Sequence, residues 1–161
     1  MSTAPAPHTI VVIPCSAAKM AEATTARELY AASPNFNYSL TSAMNHAAET
    51  AKSERVTTEV MILSAKHGLI GLDEVLAPYD TKMGQEGSIA PAALAAQLEK
   101  IGAHRIEAML PSKYRVALAK AVEINNDNED TTWIEFLDVF EAAPGIGYQR
   151  GVWGSLNSTG S

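Results

Sequence analysis

The sequence predicts an α/β fold, a three-layer sandwich in which a mainly parallel sheet of four strands, or slightly more, is flanked by helices. Three observations lead there. Ile10-Val11-Val12-Ile13 and Val60-Met61-Ile62-Leu63 are short continuous apolar runs bounded by turn residues, as suits inner strands buried on both faces. Segments of helical periodicity separate the strands, the alternation that builds parallel sheets with crossover helices. Each run also leads directly into a polar knot: Pro14-Cys15-Ser16-Ala17-Ala18-Lys19 after the first, Ser64-Ala65-Lys66-His67-Gly68 after the second. Open α/β sheets bind ligands beyond such strand ends.

The elements follow in order. After the first strand, residues 20–33 read as a helix with Ala26, Leu29 and Tyr30 on one face, broken by Ser33-Pro34-Asn35. A second helix is marked by Leu40, Ala43, Met44, Ala47, Ala48 and Ala51 at the i, i+3, i+4, i+7 spacing. The second strand covers 57–63, supported by β-branched Val56, Thr57, Thr58, Val60 and Ile62. Residues 64–90, with four glycines and one proline, read as one long irregular stretch, and loops of this length are often functional. Pro91 suits a helix first turn, with Leu94, Leu98 and Ile101 as its buried stripe and Gly102 at its end. A third strand spans 105–110. Pro111-Ser112 opens another helix whose stripe is Tyr114, Ala117, Leu118, Ala121 and Val122. Residues 125–130 form a polar, acidic turn, 133–140 a fourth strand, with the spacing of Ile134, Leu137 and Val139 leaving a helix as the alternative, and Gly145-Ile146-Gly147 precedes a short final helix. Trp133 and Trp153 read as core or edge packing.

The 161 residues are expected to form one domain over 9–156, after a flexible lead-in at 1–8 and before a frayed Ser/Gly-rich tail at 157–161. Nearly half the residues, 47%, are apolar and 19% are charged, the globular range. No apolar run reaches the roughly 20 residues that span a bilayer, and the small, Pro-rich start does not have the form of a signal peptide. The single cysteine forms no intrachain disulfide and fits a reducing compartment. A cytoplasmic protein with no membrane partner is expected. The net charge of −6 argues against non-specific coating of duplex nucleic acid, yet Lys19, Lys66, Lys82, Lys113 and Arg115 all fall in or near candidate loops. That pattern suits a small anionic ligand or one extruded nucleotide.

In the first knot, Cys15 sits where a buried strand turns toward a helix, and backbone N–H groups there can form an anion nest. Ser16 adds a hydroxyl and Lys19 a charge. The same setting favours a thiolate, so a nucleophilic Cys15 stands beside the cradle. A third reading makes Cys15 a small buried hydrophobe and Ser16 a helix cap. In the second knot Ser64, Lys66 and His67 bring a hydroxyl, an ammonium and an imidazole within four residues, and Gly68 lets the chain turn sharply. Lys66 can stabilise developing negative charge. Downstream, Tyr79 offers a ring and Asp80 a carboxylate that could orient His67 or act as a base. The alternative is a satisfied loop histidine beside a solvated lysine. With the two strands as neighbours, Cys15, Ser16, Lys19, Ser64, Lys66 and His67 line one crevice. Gly145 and Gly147, with Arg150 nearby, either approach a ligand phosphate or only permit a tight turn. The Walker and dinucleotide fingerprints are absent and no cofactor is expected. His8, His46 and His104 have no ligand-like spacing to Cys15 or to one another, so no metal site is expected.

Together the Pro-Cys-Ser-x-x-Lys knot, the Ser-Ala-Lys-His-Gly-Leu knot, Pro78-Tyr79-Asp80 and the closing Gly-Ile-Gly…Trp resemble a family of small proteins of bacteriophages and actinobacteria that carry a domain of unknown function. The resemblance spans Thr9 to Leu156. A more distant similarity is to the catalytic domain of archaeosine synthase, with a uracil-DNA-glycosylase-like α/β fold, which attaches lysine to a deazaguanine base in transfer RNA. Pro14, Cys15 and Lys19 match its Pro-Cys-x-x-x-Lys motif, while Met20 and Ala21 stand where it carries Pro-Tyr. The similarity implies an enzyme that handles a nucleobase, nucleoside or nucleotide, by N-glycosidic cleavage, base exchange or processing of a modified base in DNA or transfer RNA. Cys15, Ser16 and Lys19 would form the cradle with Ser64, Gly68 and Tyr79, His67 would be acid/base, Lys66 would stabilise charge, and Asp80 would complete the pocket. The rivals are a non-catalytic module that sequesters a nucleotide, as a phage accessory protein would, and a Cys15-dependent transferase.

Overall fold

The structure, a computed structural model, describes residues 8–16, 19–54 and 57–139. At its centre is β1 (His8–Pro14). Side chains alternate across a strand, so Ile10 and Val12 enter one buried cluster while Val11 and Ile13 enter another. This two-sided burial is why the run is continuously apolar. The second cluster takes Ala43 and Ala47 from α2 (Pro34–Glu54). The first takes Leu94 and Leu98 from α3 (Pro91–Ile101) and Leu118 and Val122 from α4 (Ser112–Asp127).

β3 (Thr57–Ser64) pairs parallel with β1 on one side, Val11 opposite Val60, and β6 (Arg105–Ala108) pairs parallel on the other, Ile10 opposite Ile106. β7 (Glu135–Asp138) extends the sheet in parallel, and β4 (Gly68–Gly71) closes the opposite edge antiparallel to β3. Among the described residues the sheet therefore has five strands, ordered β4-β3-β1-β6-β7. The mainly parallel α/β sheet expected from sequence is present, with one antiparallel edge strand.

Several local expectations change. Only Ala26–Leu29 (α1) is α-helical in the segment expected to be a helix over 20–33, and Tyr30–Ala32 tightens into a 3₁₀ turn. Thr24–Thr25 (β2) instead pairs antiparallel with Val75–Leu76 (β5), because β-branched threonines favour extended backbone. Ala26 and Arg27 then donate their N–H groups to the Glu74 and Leu72 carbonyls, at 2.8 and 2.9 Å. The expected face survives, with Ala26, Leu29 and Tyr30 all buried.

Residues 64–90 are not uniformly irregular, since they contain β4 and β5. The expected acidic turn begins late, because α4 continues to Asp127. Asn126 there clamps the backbone of Ile134 from both sides, accepting its N–H at 2.8 Å and donating to its carbonyl at 2.9 Å. The third and fourth strands are shorter than expected, and Trp133 is 70% exposed rather than packed. Trp153, the final helix, Gly145, Gly147 and the tail lie outside the described residues, as does most of the lead-in. No helix among the described residues is long and apolar enough to cross a membrane.

The reversal from β3 into β4 depends on one glycine. Gly68 has φ +77°, and a Cβ there would overlap Gln97 Oε1 and Ile89 Cδ1. Gln97 cannot swing away freely: its carbonyl oxygen accepts the Leu69 N–H and its amide donates to the His67 carbonyl, both at 2.8 Å. Gly68→Ala is expected to lower stability by at least about 1–2 kcal/mol, the cost of left-handed backbone at a residue with a Cβ. Urea denaturation with an unchanged m-value would measure it.

Candidate functional site

The order of the strands fixes where a site forms. From β1 the chain goes to β3 on one side through α2, and later to β6 on the other through α3. The carboxyl ends of β1 and β6 thus flank a point where the winding reverses, the place where open α/β sheets leave a crevice. A cavity of about 290 Å³ occupies it. Cys15, Ser16 and Lys19 reach it from the end of β1, Lys113 and Tyr114 from the first turn of α4, and Asp80 and Lys82 from the loop that follows β5.

Tyr114 ties the two sides of this crevice together, with its hydroxyl 3.3 Å from Cys15 Sγ. Burial, and then the contact with Cys15, pushes the Tyr114 pKa well above the ordinary tyrosine value, so the phenol stays protonated. Cys15 itself is half-buried, and its N–H donates to the Leu63 carbonyl at 3.1 Å, keeping it in line with the sheet. Three ammonium groups and one carboxylate (Lys19, Lys82, Lys113 and Asp80) surround the opening.

Behind Lys19 stands a tyrosine. The Lys19 ammonium lies 4.3 Å from the Tyr79 ring centroid and 5.9 Å from that of Tyr30, within range of attraction to the ring faces. Tyr79 is held from below by hydroxyl chemistry. Ser64, fully buried, accepts the N–H groups of Lys66 at 3.2 Å and His67 at 3.0 Å. With both acceptor sites filled, its own proton is directed to Tyr79 Oη, 2.6 Å away. Tyr79 in turn hydrogen-bonds the Tyr30 hydroxyl. Burial raises both phenols: Tyr30 to about 12, and Tyr79 higher still.

His67 packs against Tyr79, edge to face at 5.2 Å between centroids. Burial lowers its pKa, and the neighbouring Lys66 charge lowers it further, against a smaller opposing effect of Glu74. The imidazole is therefore neutral at pH 7.

The structure thus brings Cys15, Ser16, Lys19 and Asp80 together on one cavity, and places Ser64, Tyr79 and His67 in a wall behind Lys19. Lys66 is exposed at the hairpin turn and Gly68 is buried beneath it. Arg115 turns away to Asp138, at 3.2 Å. Of the six residues expected to share one crevice, Cys15, Ser16 and Lys19 line the cavity, together with the start of α4 and the loop after β5, while Ser64, Lys66 and His67 are not among its lining residues. Sequence reasoning placed Tyr114 only in a helical stripe, and noted Lys82 and Lys113 only as loop charges. Nor did it foresee that His46 pairs with buried Glu107 at 2.5 Å. Among the described residues no group of three His, Cys, Asp or Glu side chains could hold a metal ion.

The fold and cavity define an α/β domain with a cation-rimmed crevice at the reversal of its sheet. The chain belongs to a family of unknown function, DUF6884, whose model matches residues 10–132. That stretch takes in both knots and every residue named here as lining the cavity. No curated protein and no solved structure matches the chain.

Two outcomes follow from the wall. His67 is harder to protonate in the folded than in the unfolded chain, where the ordinary value is 6.5. Its contribution to stability is therefore level above that pH and declines as pH falls below it, because the unfolded state takes up the proton first. His67→Gln should flatten this part of a plot of denaturation midpoint against pH. Tyr79→Phe keeps the ring but strands the Ser64 and Tyr30 hydroxyls, and should cost about 1–3 kcal/mol in equilibrium unfolding.

Proposed function

We propose that this chain is an enzyme acting on a nucleobase, nucleoside or nucleotide, with the cavity between β1 and α4 as its active site. The observation that carries this is the lining itself: Lys19, Lys82 and Lys113 surround a space of about 290 Å³ that also contains one carboxylate, Asp80. Three cations suit a phosphorylated ligand, and the volume suits a small ring compound. The scaffold would be a three-layer arrangement, with α2 on one face of the sheet and α3 and α4 on the other. The resemblance of Pro14, Cys15 and Lys19 to the archaeosine synthase motif supports the nucleobase assignment.

In N-glycosidic cleavage the bond from the sugar carbon to the base nitrogen breaks, and its electron pair stays with the base. Asp80 would take a proton from the attacking water as its oxygen bonds to the sugar carbon, and that proton would end on the departing base. Lys19, held over Tyr79, would stabilise the negative charge developing on the base. Lys82 and Lys113 would hold the phosphate. The acid/base role expected of His67 passes here to Asp80, because Asp80 lines the cavity while His67 packs against Tyr79 and is not among the lining residues. His67 and Ser64 would act by positioning Tyr79.

The test is incubation with a panel of nucleosides, nucleoside monophosphates and modified bases, read by chromatography beside calorimetric binding. Release of free base by the wild type, lost in Asp80→Asn with binding retained, is the expected result. Lys19→Ala should weaken binding by about tenfold or more, the scale of one charge-assisted hydrogen bond. Binding without turnover would favour a sequestering module, and a covalent mass on Cys15 a transferase. Failure to bind any phosphorylated member would overturn the assignment.

A further inference from the structure

A second depression adjoins the first. Its volume is about 400 Å³, and it shares Met83 and Lys113 with the cavity just described. Its floor is apolar, built from Ile89, Pro91, Val116 and Ala117, and no acidic side chain is among its described lining residues. Lys113, Val116, Ala117 and Lys120 recur at the i, i+3, i+4, i+7 spacing, so one face of α4 supplies both the apolar strip and a lysine at each end. The two lysines stand about 10 Å apart along the helix. In a chain of net charge −6, this makes one continuous track with Lys19 and Lys82 at one end, Lys113 at the junction and Lys120 at the far end.

We infer that the second depression is a subsite for the neighbouring nucleotide of a single-stranded nucleic acid, so that the ligand of the first cavity is one residue of a strand rather than a free mononucleotide. The inference rests on the nucleotide reading of the first cavity. Two features favour a strand over a ligand with one charged head and an apolar tail. The depression is cationic at both ends of its apolar floor, and the shared Lys113 stands where a bridging phosphate would pass between the two spaces. Grooves for single strands pair a cationic path for the backbone with aromatic faces for the bases; here an apolar floor takes the place of those faces. Val116, 46% exposed, is part of that floor.

The experiment compares deoxynucleoside 5′-monophosphates, 5′-phosphorylated tetranucleotides of mixed sequence, and octyl phosphate, by calorimetry across a salt series. The tetranucleotide is expected to bind at least tenfold more tightly than the best mononucleotide. Lys120→Ala and Val116→Asp, both surface changes, should each bring its affinity back toward the mononucleotide value. Lys120→Ala should also reduce the slope of log affinity against log salt by about 0.7, the share of one phosphate on a single strand. Mononucleotide binding with no gain for the tetranucleotide overturns the inference and leaves the first cavity's assignment standing. An equal gain for octyl phosphate overturns it in favour of an apolar tail. Binding of none of the three overturns both.

Discussion

The constraint on which the rest of this molecule depends is the burial of β1 on both faces and along both edges. Ile10, Val11, Val12 and Ile13 are wholly excluded from solvent, and parallel partners take up the hydrogen-bonding groups on each side. A strand held in this way can meet solvent only at its ends. Its amino end is tied at His8, whose carbonyl accepts the His104 N–H. Its carboxyl end delivers Cys15 and Ser16 to the point where the sheet reverses its winding. The cavity is thus a product of topology before it is a product of any single side chain.

The second organising element is the Ser64 hydroxyl. It is buried, shaped by the turn that follows it, and committed to three partners at once. Through Tyr79 it sets the height of the surface on which Lys19 rests. Polar groups at this depth are costly unless fully satisfied. The Ser64–Tyr79–Tyr30 chain meets that requirement by stacking hydroxyls end to end, and so makes a rigid back wall from atoms that would otherwise destabilise the core.

Legibility in the sequence followed the range of the interactions. β1 and β3 were readable because two-sided burial writes a continuous apolar run, and α3 because Pro91 and Gly102 mark its ends. The first knot was placed correctly at a strand end, and three of its residues line the cavity. The second knot reads in sequence as a strand end facing a crevice, although it is the turn of a hairpin. The signal was present: Gly68 lies four residues after Ser64 and is followed by apolar Leu69 and Ile70, a hairpin pattern with a left-handed glycine. Tyr114 and Lys113 were illegible as site residues because their partner Cys15 lies about a hundred positions earlier, and only the pairing of β1 with β6 brings them together. Asp80 is legible as a pocket residue, but its place relative to His67 depends on the path of residues 72–90, which no local pattern gives. Trp133 shows the converse, since a large apolar ring predicts burial only on average.

The way residues 80–88 are attached has a bearing on how such a site could diversify. At one end Tyr79 is pinned through its hydroxyl to Ser64 and Tyr30, and at the other the Ile89 N–H is bound to the Ala65 carbonyl at 2.8 Å. Between these rivets the segment folds on itself, Gln85 to Lys82 and Ser88 to Gln85, and contributes no strand to the sheet. It supplies Asp80 and Lys82 to one space and Met83 to both. The segment is therefore a separately anchored insert. A change between Met83 and Ser88 would alter the width of the opening while Asp80 and Lys82, the anchors at either end and the strands beneath keep their places.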